Sequence, residues 1–413
     1  MWGSLVRMAI AERVVRAEQL GFSEARLQRI DALMGRFIEN GVIAGAVTLV
    51  GRHGQLAHLQ AHGQADMDAA KAMRTDSMFR LASMTKPIIS VAVLMLLEEG
   101  RILLNDTVAS FLPEFSSLQV QEQQGDAFTM VPAQRDVTVR DLLTHTSGLG
   151  SATVGPAAAE AQTIVEQRVA TASLATLVPE MAKVPLSFQP GSAWEYSGAF
   201  GFDILGRIVE IVSGTRLDQF LRERLFEPLG MRDTTFTVDA LRLNRLASVY
   251  ERGSHGLQQG TPQAYLARAT DPHNTYFSGG GGLVGTADDY GRFTLMLAGG
   301  GKLGDERILS RKTVSLMASN HIGQLPFDRT TIDLRGCRFG LGVRVVDNPA
   351  DATTLASRGT FGWAGAFGTN SWIDPVEGVV GVMLIQRMPD LTDQVLRSLW
   401  PRFLATAYQA LDD

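Results

Sequence analysis

Strand-forming residues fall in two groups near opposite ends of the chain, and this separation constrains the fold more than any other feature. Two β-rich runs, Val42 to Gly51 and Gln55 to His62, are joined by His53-Gly54 and predict a hairpin. Three more strand candidates, Phe339 to Val346, Phe367 to Ile373 and Val379 to Gln386, lie near the other end. Connections this short hold no crossover helix, so the strands are expected to run antiparallel. Residues 23–40 place Leu27, Ile30, Leu33, Met34 and Phe37 at helical spacing, with Ser23 as N-cap and Gly41 as stop. A last helix from about Leu391 to Leu411 closes the chain. The fold class expected is α/β (α+β): an antiparallel sheet flanked by helices, built from residues 22–95 together with 300–413. Residues 96–299 are read as an inserted, mainly helical domain, with helices over 139–143, 199–212, 216–225 and 288–298 and the active site between the domains. Residues 1–21 are read as an N-terminal extension.

A chain of 413 residues can bury a large core, and 45% hydrophobic with 20% charged residues is ordinary globular composition. A formal charge of -5 with interspersed signs leaves no basic footprint for nucleic acid or anionic lipid. The single cysteine, Cys337, excludes an internal disulfide and has no metal-ligand spacing around it. Seven histidines show neither clustered ligand spacing nor H-E-x-x-H, so no metal or organic cofactor is expected. Charge interrupts every apolar run at the N-terminus, which points to a cytoplasmic location, and the apolar stretch Ile88 to Leu97 is too short for a membrane span. Gly279 to Gly282 reads as a turn with unusual backbone angles rather than a phosphate loop, and Thr286-Ala287-Asp288-Asp289 reads as a capping box opening the next helix.

The chemistry concentrates in three segments. In Ser83-Met84-Thr85-Lys86 a helix sets the lysine on the same face as the serine, within reach of its hydroxyl. Pro87 suits a first helical turn, so Ser83 lies near a helix N-terminus where its own N–H can donate to an oxyanion. The pattern alone is common, but a lysine beside the apolar run Ile88 to Leu97 must be partly buried, and that is costly unless it is paired or used. Tyr196, in Trp194-Glu195-Tyr196-Ser197-Gly198, can act as a base only beside a cation, and is otherwise a packed aromatic. The third segment, Gly362-Trp363-Ala364-Gly365-Ala366-Phe367-Gly368, is a glycine-interrupted strand along which a substrate can lie closely.

In this order the segments resemble the serine β-lactamase and penicillin-binding-protein superfamily, whose signature is S-x-x-K with S-D-N and K-T-G elements. More closely the chain resembles the class C β-lactamase-like family VIII carboxylesterases and the acyltransferases of the lovastatin pathway type. The likeness runs from about Leu27 to Gln386 and includes L-L-T-H-T-S-G-L at 142–149, L-F-E-P-L-G-M-R-D-T at 225–234 and the glycine run. It implies Ser83 as nucleophile, Lys86 as proton acceptor, Tyr196 as proton shuttle, and the N–H groups of Ser83 and Ala366 as oxyanion hole. His145, although inside a signature, is expected to be structural.

Two departures matter. Trp363 stands where the lysine of K-T-G would be, and Gly198 where an amide side chain usually stands. Without that cation and that amide, esters with small or apolar acyl groups are favoured over β-lactams, and Lys86 and Tyr196 are expected to share one proton. Trp363, Ala364, Gly365 and Gly198 are the expected substrate contacts. The loop Gln119 to Arg135 and the helical region are expected to supply the acyl-pocket wall, with Phe128, Met130 and Tyr276 in it. The leading reading is a serine esterase acting on a small-molecule ester. The alternatives are a β-lactamase or D-amino acid-peptide hydrolase, an acyltransferase to an alcohol, and a non-enzymatic binding module. A Ser-His-Asp hydrolase is disfavoured because no G-x-S-x-G elbow is present. Monomer and homodimer are not distinguished.

Overall fold

A computed structural model of the protein describes residues 14–413 apart from 126, 169–171, 263, 389 and 391. The first thirteen residues of the 1–21 extension, and Leu391 at the expected start of the last helix, lie outside the described residues. The N-terminal hairpin pairs β1 (Gly45–Arg52) with β2 (Gln55–Asp66). Its two-residue turn puts His53 and Gly54 both at positive φ, 52° and 81°, the geometry that matches strand twist. Strand β3 (Lys71–Ala72) extends it. From the other end come β4 (Cys337–Phe339), β5 (Arg344–Val346), β6 (Phe361–Gly362), β7 (Asn370–Asp374) and β8 (Val379–Leu384).

All pairings are antiparallel in one eight-stranded sheet of order β4-β5-β6-β7-β8-β1-β2-β3. The two sequence groups meet where Val47 pairs with Leu384 and Val50 with Gly381. The run Phe339 to Val346 is two strands rather than one, because Gly342 turns the chain at φ +76°. A Cβ on Gly342 would lie 2.0 Å from Ser90 Oγ, so this turn presses on the helix that carries Ser90. The strand expected from Phe367 begins at Asn370.

One face of the sheet carries α1 (Glu24–Leu27), α2 (Arg29–Glu39) and α7 (Gln394–Tyr408). The single helix expected over 23–40 is broken at Gln28, but its five apolar residues are all buried. Ser23 occupies the N-cap position without a side-chain bond, and Gly41 ends the helix at φ +62°. The other face carries α3 (Thr85–Glu98) and α6 (Ala287–Ala298), with α4 (Val139–Thr144) and α5 (Phe200–Ser213) packed beyond them. Helix α6 lies against β8, β1 and β7, so the sheet layer takes in a helix that the division at residue 300 leaves to the inserted region. Thr286 caps α6 by accepting from the Asp289 N–H, while the Asp289 carboxylate accepts from Asp233 N and Thr234 Oγ1 instead of completing a box. Residues expected as a loop over 119–135 form a hairpin, Gln119–Gln124 with Ala127–Pro132. Among the described residues no helix is long and apolar enough to cross a membrane.

Candidate active site

Ser83 sits in a single 3-10 turn, Ala82–Met84, that runs directly into α3. Residues 85–96 of that helix are all buried, Lys86 at 0% exposure. Ala82, just before the serine, is held at φ +47°, a strained conformation for a residue with a Cβ. The strain is over-determined by its surroundings. Leu81 N donates to Leu283 O at 2.9 Å, Thr369 Oγ1 donates to Leu81 O at 3.1 Å and Tyr290 Oη donates to Met84 O at 3.0 Å. The Gln386 amide closes a two-way clamp on the Arg80 backbone, accepting from its N–H and donating to its carbonyl.

Lys86 Nζ donates to Ser83 Oγ at 3.1 Å, to Gly198 O at 2.5 Å and to Gly280 O at 2.7 Å. An ammonium has three N–H donors, so all three are matched. The burial that the sequence made costly is thus offset by one hydroxyl and two carbonyls. Tyr196 Oη donates to the same Ser83 Oγ at 2.7 Å, and the Lys86 ammonium lies 5.0 Å from the centre of the Tyr196 ring. Lys86 and Tyr196 therefore meet through the serine oxygen, and among the described residues no direct bond joins them, unlike the shared proton expected from sequence.

The tyrosine is positioned from both sides of its own segment. Glu195, 9% exposed, accepts from Ser151 Oγ at 3.0 Å and Ser187 Oγ at 2.9 Å and lies 3.7 Å from Arg329. His145, the left-handed cap of α4 at φ +59°, accepts from the Ser197 N–H through Nδ1 at 3.2 Å. Its ring packs 4.7 Å from that of Tyr196. Burial, followed by the Lys86 charge, pushes the His145 pKa well below 6.5, so the ring is neutral and structural in character. Because the folded pKa is depressed, His145 contributes fully to stability above about pH 6.5 and that contribution is lost as pH falls. Each pH unit below that point costs about 1.4 kcal/mol until the folded pKa is reached. Urea unfolding at pH 7.5 and 5.5 is expected to show a drop in stability that is smaller in His145→Gln, whose amide keeps an acceptor without a titrating ring.

The glycine run acts through close approach and not through backbone angle. Among Gly279 to Gly282 none has positive φ, but a Cβ on Gly279 would fall 2.2 Å from Phe202 O and one on Gly280 2.6 Å from the Ala199 Cα. This contact brings the Gly280 carbonyl to Lys86. Asp203, fully buried in the first turn of α5, locks it there by accepting from Gly280 N at 2.9 Å, Ser278 Oγ at 2.8 Å and the Tyr276 hydroxyl. Burial raises the Asp203 pKa, and these bonds together with the Lys86 charge oppose the rise. Tyr276, 3% exposed, supports this arrangement by donating its hydroxyl to Asp203.

The third segment reaches the serine through Gly365. A Cβ there would lie 2.3 Å from Leu81 O and 2.2 Å from Thr369 Oγ1, so glycine alone lets it pack against the residues preceding Ser83. Among the described residues neither the Ser83 nor the Ala366 N–H is matched to a backbone carbonyl. Ala364 pairs across the turn with Asn370. Gly365→Ala is expected to lower kcat about 100-fold, the usual cost of about 1 Å of misplacement, with a smaller change in KM. Steady-state kinetics on a short-chain aryl ester checks this. Trp363 is 6% exposed, packs on Tyr196 and Phe339, and points its indole N–H at Tyr196 Oη across 3.4 Å, a long and weak contact. It is more than an apolar plate, since it also places a dipole beside the phenol. A Cβ on Gly198 would meet nothing within 4 Å, so the missing amide leaves open space beside the Lys86 and Ser83 pair.

Phe128 is half-buried on the 119–132 hairpin and lines a cavity of about 450 Å³ with Val120, Val154, Phe188 and Arg329. Ser83, Lys86 and Tyr196 do not line this cavity, but Ser187 and Arg329, which do, contact Glu195, the neighbour of Tyr196. Met130 is 42% exposed on the same hairpin. Spacing pointed to Ser83 and Lys86 but missed Asp203, Tyr290 and the two carbonyl acceptors. Only the buried-lysine argument, which demands partners, could have anticipated the latter.

An antiparallel sheet with a Ser-x-x-Lys turn entering a buried helix defines a serine hydrolase on the β-lactamase and penicillin-binding-protein fold. The chain belongs to the beta-lactamase family, whose model matches residues 30–401. It is similar to Protein Rv1367c of Mycobacterium tuberculosis, 35% identical over 397 residues covering 90% of this chain and 96% of that one. It is also similar to Esterase EstB of Burkholderia gladioli, 31% identical over 380 residues covering 86% and 89%. The solved structure of EstCE1, described as a hydrolase with promiscuous acyltransferase activity, matches with a TM-score of 0.75 at 27% identity over 94% of this chain and 99% of that one. Within the superfamily the chain is a family VIII esterase-like serine hydrolase.

Proposed function

We propose that the protein is a carboxylesterase that hydrolyses short- to medium-chain esters through an acyl-enzyme at Ser83. The observation that carries this is the convergence of Lys86 Nζ and Tyr196 Oη on Ser83 Oγ at 3.1 and 2.7 Å. Once Lys86 is neutral it has two N–H groups, which the carbonyls of Gly198 and Gly280 accept, and its lone pair then falls on the remaining tetrahedral direction, toward Ser83. Lys86 takes the serine proton as Oγ bonds to the acyl carbon. The N–H groups of Ser83 and Ala366 receive the developing oxyanion. Tyr196 gives its proton to the departing alkoxide and later takes one from the water that releases the acid, while Lys86 returns its proton to the departing Ser83 Oγ. Trp363 in place of a cation, and open space beside Gly198, support esters over β-lactams as substrates.

Intact-protein mass after brief exposure to short-chain aryl esters and to one chromogenic cephalosporin tests the reading. An acyl adduct from the esters with little cephalosporin turnover is expected, whereas no adduct from either class would overturn it. Acyl transfer to an alcohol is a second reading, favoured by the similarity to EstCE1. Ester product rising over free acid as alcohol is added would establish it.

A further inference from the structure

On the sheet face opposite α3, two imidazoles and a carboxylate converge away from Ser83. His58 and His62 stand four apart on β2 and so project from one face. Thr48 on β1 pairs with Gln60 between them, and its Oγ1 meets His58 Nε2 at 2.8 Å and His62 Nε2 at 2.9 Å. Asp31, in the first turn of α2, brings Oδ1 to 3.9 Å from His62 Nε2. One donor atom from each of Asp31, His58 and His62 lies within 4.8 Å of the other two.

We propose that Asp31, His58 and His62 form a binding site for a divalent transition ion of the zinc type, with Thr48 Oγ1 at the fourth corner. Zinc bonds of about 2.0–2.1 Å in a tetrahedron require donor atoms about 3.3 Å apart. The observed 2.8, 2.9 and 3.9 Å bracket that value, so these three edges need shifts of well under an ångström. Two imidazoles with one carboxylate suit zinc, whereas calcium and magnesium prefer all-oxygen sites. The single Thr48 proton can go to one imidazole only, so the other ring donates its own Nε2–H to Oγ1. That proton leaves Nε2 when the ion binds, because a ligating nitrogen must present its lone pair. The inner wall is closed, with side-chain exposure of 10% at His62, while Asp31 is 48% exposed and gives an ion access from solvent. Spacing in the sequence does not mark the site, because its third ligand comes from a separate helix. A bound ion would tie α2 to the β1–β2 hairpin.

The test is calorimetric titration of Zn²⁺ into the chelator-stripped full chain, repeated with Asp31→Ala, His62→Ala and the exposed control His255→Ala. One ion per chain is expected, with Kd raised about 100-fold in both ligand variants and unchanged in the control. Zinc is expected to raise Tm in the wild type and not in the ligand variants. Asp31 is on the surface, so Asp31→Ala keeps the test valid should His62→Ala fold poorly. Absence of saturable binding, or wild-type affinity in Asp31→Ala or in a folded His62→Ala, overturns the site.

Discussion

Ser83→Ala is expected to leave a folded protein whose kcat/KM for a short-chain aryl ester is lower by about 10⁴-fold or more, the scale seen when a nucleophile is deleted from a hydrolase. The loss is in chemistry, because Oγ is the atom on which both Lys86 and Tyr196 converge. Thermal stability should change little. The Ser83 side chain is only partly buried, and water can take the two donors it releases. Intact mass supplies the second readout: the adduct seen with the wild type is absent from the variant. Wild-type turnover in Ser83→Ala would remove the proposed mechanism altogether.

Lys86→Met and Lys86→Arg, taken together, separate charge from proton transfer. Methionine removes both, and arginine keeps the charge on a group that does not deprotonate in proteins. If Lys86 accepts the serine proton, both variants lose about 10³- to 10⁴-fold in kcat. If the ammonium acts only by its field, Lys86→Arg recovers much of the rate. In Lys86→Met the carbonyl of Gly280 loses its donor, while the cost of burying a charge also disappears. These effects oppose each other, so Tm should move far less than activity. Pre-steady-state bursts locate the defect in acylation.

What was legible in the sequence follows from how each feature is encoded. The hairpin turn at His53-Gly54 and the buried stripe of α1 and α2 are local patterns, and both appear as read. The run Phe339 to Val346 misled because its apolar residues continue through a turn, and Gly340 and Gly342 mark that turn only weakly. Ser83 and Lys86 were accessible because a fixed spacing on a helix makes a contact predictable. The partners of Lys86 were not, since a backbone carbonyl has no residue signature and Gly198 and Gly280 come from separate segments. Asp203 was invisible for a related reason: an acidic residue in an amphipathic helix looks solvent-facing until the fold buries it beneath Tyr276 and Ser278. The glycine run was recognised as special but for the wrong cause, steric room taking the place of left-handed backbone.

Because β1 finds its central partner in β8, the sheet cannot close until β8 has been made. The hairpin, Ser83 and α3 leave the ribosome long before β8, and until then Val47 and Leu49 present an open, apolar edge of the kind that recruits other chains. The segment carrying Gly365, which supports the turn at Leu81, is equally late. A nascent chain therefore holds Ser83 in an unfinished frame until β8 and the Gly365 segment have been made. Loss of β8 by premature termination would yield a sticky, inert polypeptide and not a feeble enzyme, so quality control would meet this protein as a solubility problem.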